Sequence, residues 1–257
     1  MDAILSILSL PLLLVAFAVA FFAGVIKGMV GFAMPMIIIS GLSTFISPEI
    51  ALAGLILPTL VSNWMQIALY DPRELWPAMR RFKVFLAVGG LCLLVSAQLV
   101  MILPPSTMLI VLGCIVTAFS LWQLSGRAPD PGRLAQSKRL DAGIGAVAGL
   151  IGGVSGIFGP PTVAYLTAIG TEKRMQMLAQ GMIYGLGAVM LTVGHIGSGI
   201  LNAQTIPISA LLILPAIVGM LVGTRLSATF DQATFRRATL IVLMIGGLNL
   251  LRRGLLG

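Results

Sequence analysis

The stretch AGVIKGMVGFAMPMIIISG, from Ala23 to Gly41, decides how this chain folds. It places a lysine, several glycines and a proline inside sequence that is otherwise apolar enough to span a membrane. The surrounding apolar run, residues 3 to 47, is roughly twice the ~20 residues that one crossing helix needs. The chain must therefore break inside this run, and we place the break at Gly31 to Pro35.

Composition identifies a polytopic membrane protein. Of the 257 residues, 58% are hydrophobic and 9% are charged, whereas soluble domains are roughly one-quarter charged. The net charge of +8 comes from Lys and Arg in short loops beside apolar segments, which is the orientation signal of an inner-membrane protein. Residues 3 to 23 carry no basic n-region, so we expect a retained span and not a cleaved signal peptide. Cys92 and Cys114 lie in apolar runs and are predicted to be buried packing residues.

A second apolar run, Asp141 to Gly170, contains a similar break at Gly159 to Pro161. Aligning the two breaks matches glycine with glycine and proline with proline. The matched pairs are Ala23 with Ala148, Gly24 with Gly149, Gly28 with Gly153, Gly31 with Gly156, and Pro35 with Pro160. Each half of the chain thus begins with a broken run and continues with three spans, which predicts an internal duplication.

The spans that follow each broken run are set apart by polar turns. In the first half they are Ile50 to Tyr70, Phe85 to Leu103 and Thr107 to Leu124, and in the second half Met175 to Gly197, Ile206 to Thr224 and Arg237 to Leu251. The polar segment Asp71 to Lys83 is expected in the membrane interface, with Trp76 as an anchor. Ser125 to Arg139 has the composition of a linker. We therefore divide the chain into a first membrane repeat (1–125), a cytoplasmic linker (126–140) and a second membrane repeat (141–257).

Loop charges predict how the two repeats are oriented. If each broken run enters and returns as a hairpin, every loop Lys and Arg except Arg252 and Arg253 falls on one side, as the positive-inside rule favours. A hairpin plus three crossings puts the start of the second half on the opposite face. The predicted fold class is an all-α polytopic membrane protein with two inverted repeats, each a broken or re-entrant hairpin plus three transmembrane helices. Both termini would be periplasmic. Leu10 to Gly31 is also long enough to cross fully, so the first hairpin can instead be two complete short spans.

The breaks predict a binding site, because backbone that leaves a helix at membrane depth must line protein or a cavity. Pro35 and Pro160 suit the first turn of a second half-helix, whose N–H groups and positive dipole end point inward. In inverted repeats two such ends face each other and make an anion site. Lys27 can add a full positive charge, or it can snorkel to the cytoplasmic interface. The candidate binding residues are Lys27, Gly31, Phe32, Ala33 and Met34 at the first break, Gly156, Ile157, Phe158 and Gly159 at the second, and Asn63, Gln66, Gln180 and Tyr184 on the spans that follow.

Several of these residues have a structural alternative. Glycines spaced four apart also let helices approach closely, and the amides and tyrosine can make hydrogen bonds between helices. His195, the only histidine in the sequence, can couple protons or be a structural residue at the interface. All eight acidic residues lie at segment ends, which argues against an intramembrane proton relay or a cation pump. They are Asp2, Glu49, Asp71, Glu74, Asp130, Asp141, Glu172 and Asp231.

Two motifs resemble the sulfite exporter TauE/SafE family of transporters. AGVIKGMVGFAMP is similar to the family's first glycine motif in the form that carries lysine, and GLIGGVSGIFGPP is similar to its second motif, which ends in Gly-Pro-Pro. Ala33 and Met34 depart from the pattern, because many relatives have further glycine there. The resemblance spans the chain in length and order of spans. It implies an inner-membrane transporter of sulfite, of organosulfonates such as sulfoacetate, or of related small anions.

The leading hypothesis is therefore a secondary transporter of small anions that works by alternating access around the two breaks. The expected partners are a small anionic substrate and the lipid bilayer; a homodimer is left open, and no nucleic acid, cofactor or metal is expected. One alternative is an intramembrane transferase, which needs a cluster of His, Asp, Glu or Cys that this sequence does not supply. The other is a membrane scaffold that transports nothing.

Overall fold

The protein is all α-helical in the part that the computed structural model describes, which is residues 8–68, 70–127, 132, 134–227 and 232–256. Eleven helices and no strand occur in these residues. Asp2, Asp130, Asp231, both chain ends, and positions 128–131 and 133 of the predicted linker lie outside them.

The helices follow the predicted order in both halves of the chain. Each half has a long helix, a short helix after a break, and then three longer helices, with one additional short helix in the first half. The helices are α1 (Leu10–Val30), α2 (Met34–Leu42), α3 (Pro48–Ile67), α4 (Pro72–Arg81), α5 (Lys83–Leu99), α6 (Pro105–Leu124), α7 (Lys138–Ser155), α8 (Gly159–Ala168), α9 (Lys173–Gly197), α10 (Ile206–Leu226) and α11 (Gln232–Leu256). Proline stands at the first or second position of α1, α2, α4, α6, α8 and α10, where the missing N–H costs nothing.

Six of the described helices are long and apolar enough to cross a membrane: α1, α3, α6, α9, α10 and α11. α4 and α5 meet at a bend of 74° and together make a seventh candidate span. On α4 the Trp76 ring is exposed and the Arg80 guanidinium lies 5.8 Å from its centroid. An exposed aromatic ring beside a basic residue suits the headgroup region. The polytopic membrane fold is therefore confirmed.

Contacts divide the described chain into two compact units. The first unit contains α1, α2, the start of α3 up to Thr59, α6, α10 and α11; the second contains the rest of α3 from Leu60, α4, α5, α7, α8 and α9. Each unit thus holds one broken hairpin together with helices from both halves of the sequence.

In the first unit, small residues let α1 and α10 touch backbone to backbone. A Cβ added to Gly24 would lie 2.0 Å from the Ala216 carbonyl oxygen, and one added to Gly28 would lie 2.2 Å from that of Met220. The contact advances along both helices in the same sense, so α1 and α10 run parallel. α2 folds back along α1, because Gly41 faces the Val19 side chain. The packing interpretation of Gly24 and Gly28 is correct.

α6 and α11, also in the first unit, run in opposite directions. Gly113 of α6 faces the Gly247 carbonyl oxygen of α11, and Gly254, further along α11, faces the Ser106 carbonyl oxygen near the start of α6. These two helices hold the same position, last, in their respective halves of the sequence.

In the second unit, α7 packs on α5 as α1 packs on α10. A Cβ on Gly149 would lie 2.1 Å from the Gly89 carbonyl oxygen, and one on Gly153 would lie 2.3 Å from that of Leu93. The contact again advances in the same sense on both helices, so α5 and α7 run parallel. The two units therefore follow the same rule. The first helix of each hairpin (α1 or α7) packs on a helix from the other half of the sequence (α10 or α5), and that helix is the second of the three longer helices in its half.

α8 returns along α7 to the end at which the hairpin began. The Tyr165 hydroxyl, near the end of α8, donates a hydrogen bond to the Asp141 carboxylate in the first turn of α7. The Leu134 N–H, just before α7, donates to the Ala168 carbonyl at 3.0 Å. The chain thus enters and leaves this hairpin at the same end.

Candidate functional site

The first break is a reversal of the backbone between α1 and α2. α1 ends at Gly31, whose φ of +90° lies in the left-handed region and whose N–H donates to the Lys27 carbonyl at 2.7 Å. Ala33 also has a positive φ, +60°, immediately before α2 begins at Met34. Space is open where a side chain at Gly31 would project. This glycine is therefore required by its conformation and not by packing.

Lys27 is buried, with 2% of its surface exposed, in the last turn of α1 before the break. It lies on the face of α1 that also buries Ala16, Ala20 and Ala23. Since the neighbouring Gly28 contacts the α10 backbone, α1 is held too close to the protein for Lys27 to turn outward. The side chain does not reach the surface, so the interfacial snorkelling alternative does not describe this structure.

The second break repeats the geometry of the first. Gly156 ends α7 with a φ of +72°, and its N–H donates to the Gly152 carbonyl at 2.7 Å. α8 then begins at Gly159 with Pro160 in its first turn, at the same offset that separates Gly31 from Met34 in the first break. The alignment of the two breaks made from sequence therefore holds for the left-handed glycines and for the helix starts, whereas the equivalent residues Ala33 (φ +60°) and Phe158 (φ −114°) differ in backbone conformation.

The structure limits which backbone N–H groups of the two breaks can bind a ligand. Met34 N–H donates to the Phe32 carbonyl at 2.6 Å, and Ile157 N–H donates to the Ser155 hydroxyl at 3.0 Å. The N–H groups of Gly31 and Gly156 close the ends of α1 and α7, and proline has none. Within the described chain, the N–H groups of Ala33 and Phe158, which occupy equivalent positions, donate no hydrogen bond.

The four polar candidates on the later spans have different positions. The Asn63 side-chain amide of α3 donates to the Tyr184 carbonyl of α9 at 3.1 Å. The Tyr184 hydroxyl donates to the Gly159 carbonyl at 3.3 Å, and the Tyr184 ring lies 5.7 Å from that of Phe158. Asn63 and Tyr184 are thus brought to the second break, where they make the interhelical hydrogen bonds that were the structural alternative. Gln180, on α9, and Gln66, on α3, are half-buried.

The candidate residues fall into two groups, one in each unit. Lys27 and the first break belong to the first unit, whereas Asn63, Gln66, Gln180, Tyr184 and the second break belong to the second. The expectation that the two breaks face each other stays a prediction.

A family model described as Sulfite exporter TauE/SafE matches residues 16–250. The chain belongs to this family. No curated protein and no solved structure gives a significant match to it. Members of the TauE/SafE family are membrane transporters and not enzymes. The family resemblance predicted from the two glycine motifs is confirmed, since the match covers residues 16–250.

The sequence analysis missed the hydrogen bonds that stabilise the TauE/SafE hairpins at the ends opposite their breaks. Asp141 is buried and accepts a hydrogen bond from Tyr165, and the Arg253 guanidinium of α11 donates to the Ser43 carbonyl just after α2. The first of these contacts could have been inferred, since a hairpin broken at Gly156 brings residues 141 and 165 to the same end. Arg253 gave no local signal, because its acceptor lies in the other half of the sequence.

His195 of this TauE/SafE protein is fully buried in the last turn of α9, with its Nδ1 3.1 Å from the Ser198 hydroxyl oxygen. Cys92 is half-buried and Cys114 is exposed on α6, so the burial predicted for both cysteines is wrong for Cys114. In the described part of the chain, no three His, Cys, Asp or Glu side chains come together as a metal site.

Proposed function

We propose that this TauE/SafE protein is a secondary transporter of a small anion, most readily sulfite or an organosulfonate such as sulfoacetate, and that it works by alternating access. Lys27 supplies the charge that attracts the anion. The two breaks supply backbone N–H groups and the positive ends of α2 and α8.

The observation that carries this proposal is the burial of Lys27 beside a break in the helix. A lysine at 2% exposure in a candidate span is costly in a membrane and generally marks a substrate or ion pathway. Space is open at Gly31, one turn further along the chain, and this gives a small anion room at the break.

The N–H inventory supports a small number of backbone contacts to the anion. Ala33 and Phe158, the residues that precede α2 and α8, are the equivalent positions whose N–H groups have no acceptor within the described residues. An anion at a helix N-terminus accepts hydrogen bonds from such groups. We therefore assign the backbone contacts with the anion to Ala33 and Phe158. The N–H groups of Gly31, Met34, Gly156 and Ile157 already donate hydrogen bonds within the protein.

The antiparallel packing of α6 on α11 supports the inverted repeat that alternating access requires. These helices are equivalent in the two halves yet run in opposite directions inside one unit. With inverted repeats, the loop charges place the linker in the cytoplasm and both termini in the periplasm of an inner-membrane protein.

Transport by Lys27 variants in proteoliposomes tests the proposal. Because a hydrogen bond to a charged group is worth about 1.5–3 kcal/mol, we expect Lys27→Ala to weaken the apparent affinity for the transported anion by about 10-fold to 100-fold. Lys27→Arg, which keeps the charge, should retain part of the flux. Lys138→Ala, on an exposed lysine at the start of α7, is the matched control and should behave like the wild type.

Thermal unfolding of the purified protein with sulfite, thiosulfate, sulfate, sulfoacetate, taurine or small carboxylates identifies the substrate. A ligand at 100 times its Kd stabilises the folded state by about 2.7 kcal/mol. The ligand that stabilises the wild type should stabilise Lys27→Ala much less. Unchanged flux, affinity and ligand stabilisation in Lys27→Ala would show that this lysine does not bind the anion. A protein that none of these anions stabilises and that transports none of them would favour the scaffold hypothesis.

A further inference from the structure

A cavity of about 310 Å³ lies in the second unit, whereas Lys27 belongs to the first. It is bounded by α4, α5, α7, α8 and α9, and its walls are almost entirely apolar. Gly89, Gly90, Gly149 and Gly187 contribute to the lining, and the absence of side chains at these positions leaves the space open. The volume is that of a small-molecule binding site.

The cavity extends from the surface of α5 to the second break. Lys83 and Ala87 line it at the exposed end, and the buried Phe158 ring closes it at the inner end. Ala87 belongs to the exposed face of α5 together with Leu91. Since α5 forms a candidate span with α4, the molecules in front of this opening are lipids.

Lys83 stands at the level of the lipid headgroups. It is the first residue of α5, directly after the 74° bend from the interfacial helix α4. Its side chain is exposed, and a lysine at this level attracts anionic headgroups. From Lys83 to Leu93, the deepest α5 residue of the lining, the helix rises by about 15 Å at ~1.5 Å per residue. This is half of the ~30 Å hydrocarbon core, and so the depth of one leaflet.

We propose that this cavity is a binding site for one acyl chain of an anionic phospholipid, whose phosphate lies at Lys83 and whose chain ends against Phe158. An apolar cavity left empty in a membrane forfeits packing contacts on all its walls, and an acyl chain that enters from the facing leaflet restores them. The charge at the opening selects an anionic headgroup over a zwitterionic one. The inference does not depend on which anion is transported.

Native mass spectrometry of the delipidated protein in detergent tests the site, with dioleoyl phosphatidylglycerol and dioleoyl phosphatidylcholine as probes. The wild type should retain one phosphatidylglycerol more tightly than phosphatidylcholine. Gly90→Leu fills the cavity, because a Cβ there makes ordinary contact with Met190 at 3.6 Å, and should reduce the affinity for phosphatidylglycerol about 10-fold. Lys83→Gln should reduce the preference for phosphatidylglycerol over phosphatidylcholine about 5-fold, the factor for one lysine at an anionic headgroup.

Two controls separate this site from general lipid contact. Gly143→Leu makes the same change on α7, where nothing lies within 4 Å of the added Cβ, and should leave binding unchanged. Lys138→Gln removes an exposed lysine outside the cavity and should leave the headgroup preference unchanged. Ala87→Trp blocks the opening and provides a second test if Gly90→Leu does not fold.

The outcomes distinguish the parts of the proposal. Equal retention of phosphatidylglycerol by the wild type, Gly90→Leu and Ala87→Trp would show that no acyl chain occupies the cavity. Equal loss in Gly90→Leu and Gly143→Leu would assign the bound lipid to the general surface and overturn the site. Equal binding of the two lipids by the wild type would overturn the role of Lys83. Failure of anion transport with retained lipid binding would count against the proposed function alone.

Discussion

The hydroxyl of Ser209 replaces a hydrogen bond that Pro58 removes from α3. Proline at position 58 cannot donate to the Gly54 carbonyl, its acceptor in a regular helix. Ser209 of α10 donates to that carbonyl at 3.3 Å and accepts from the Leu57 N–H at 3.1 Å. Ser209 is fully buried, and α3 passes from the first unit to the second just after Pro58.

We therefore expect the cost of Ser209→Ala to depend on residue 58. In the wild type the change leaves a buried carbonyl without a donor and should cost about 1–2 kcal/mol. In a Pro58→Ala background the new N–H can donate to Gly54, so the same change should cost only about 0.5 kcal/mol, the lower end for a single hydrogen bond. The coupling energy between the two sites should be about 1 kcal/mol.

Thermal unfolding in detergent of the wild type, both single variants and the double variant measures this coupling. For a chain of this length, about 1 kcal/mol corresponds to a shift of roughly 2–4 °C in Tm. Ser120→Ala is a matched control, since that hydroxyl donates to the Val116 carbonyl of its own helix at 2.8 Å, and its loss should cost little in either background. If Ser209→Ala lowers Tm equally with proline and with alanine at position 58, the hydroxyl does not replace the missing donor.

Two further changes test the backbone of the first break and the packing of the second unit. Ala33→Gly should raise Tm by about 2–8 °C, because a left-handed φ of +60° costs alanine roughly 1–2 kcal/mol that glycine avoids. Ala118→Gly, on an exposed position inside α6, should lower Tm. A lower Tm for Ala33→Gly would count against strain at this residue. Gly149→Ala should destabilise the protein by about 1–3 kcal/mol, because its Cβ would lie 2.1 Å from the Gly89 carbonyl oxygen. The control Gly143→Ala adds a Cβ where space is open and should be neutral or stabilising. Equal Tm values for the two alanine variants would refute the close contact of α5 with α7.

The position of the first break was predictable because local chemistry determines it, whereas the second break begins at Gly156, three residues before the predicted Gly159 to Pro161, which form the first turn of α8. Glycine ends a helix in the left-handed conformation, and proline begins the next one. Gly31 and Gly156 have this conformation, and Pro35 and Pro160 stand in the first turns of α2 and α8. The order of the helices followed from hydropathy and loop composition for the same reason.

Contacts between distant segments were not predictable from local patterns. The pairing of α1 with α10 and of α5 with α7 depends on which helices bury their glycines against each other, and spacing alone does not name the partner. Arg253 illustrates the same limit. Loop charge made it an exception to the positive-inside pattern, whereas in the structure it donates to the Ser43 carbonyl at the end of α2, where a cation also opposes the negative end of the helix dipole.

The sequence analysis predicted more backbone N–H donors at the candidate site than the structure provides. A helix start was expected to present its N–H groups inward, but two consecutive prolines, Pro160 and Pro161, remove two donors from the first turn of α8. The left-handed glycine that makes the break also uses its own N–H to close the preceding helix. Both effects can be read from the sequence once the backbone conformation is known, and they leave Ala33 and Phe158 as an equivalent pair of N–H groups with no acceptor among the described residues.

The depth of Lys27 follows from the packing of its neighbours and not from its own chemistry. Gly24 and Gly28 bring α1 against the α10 backbone, and at 100° per residue a side chain at position 27 then lies beside that contact, on the buried face with Ala20 and Ala23. A lysine on a loosely packed helix would turn its ammonium group toward the headgroups. Because Gly24 and Gly28 hold α1 against α10, Lys27 stays buried inside the first unit, and the proposed anion site depends on residues that touch no anion.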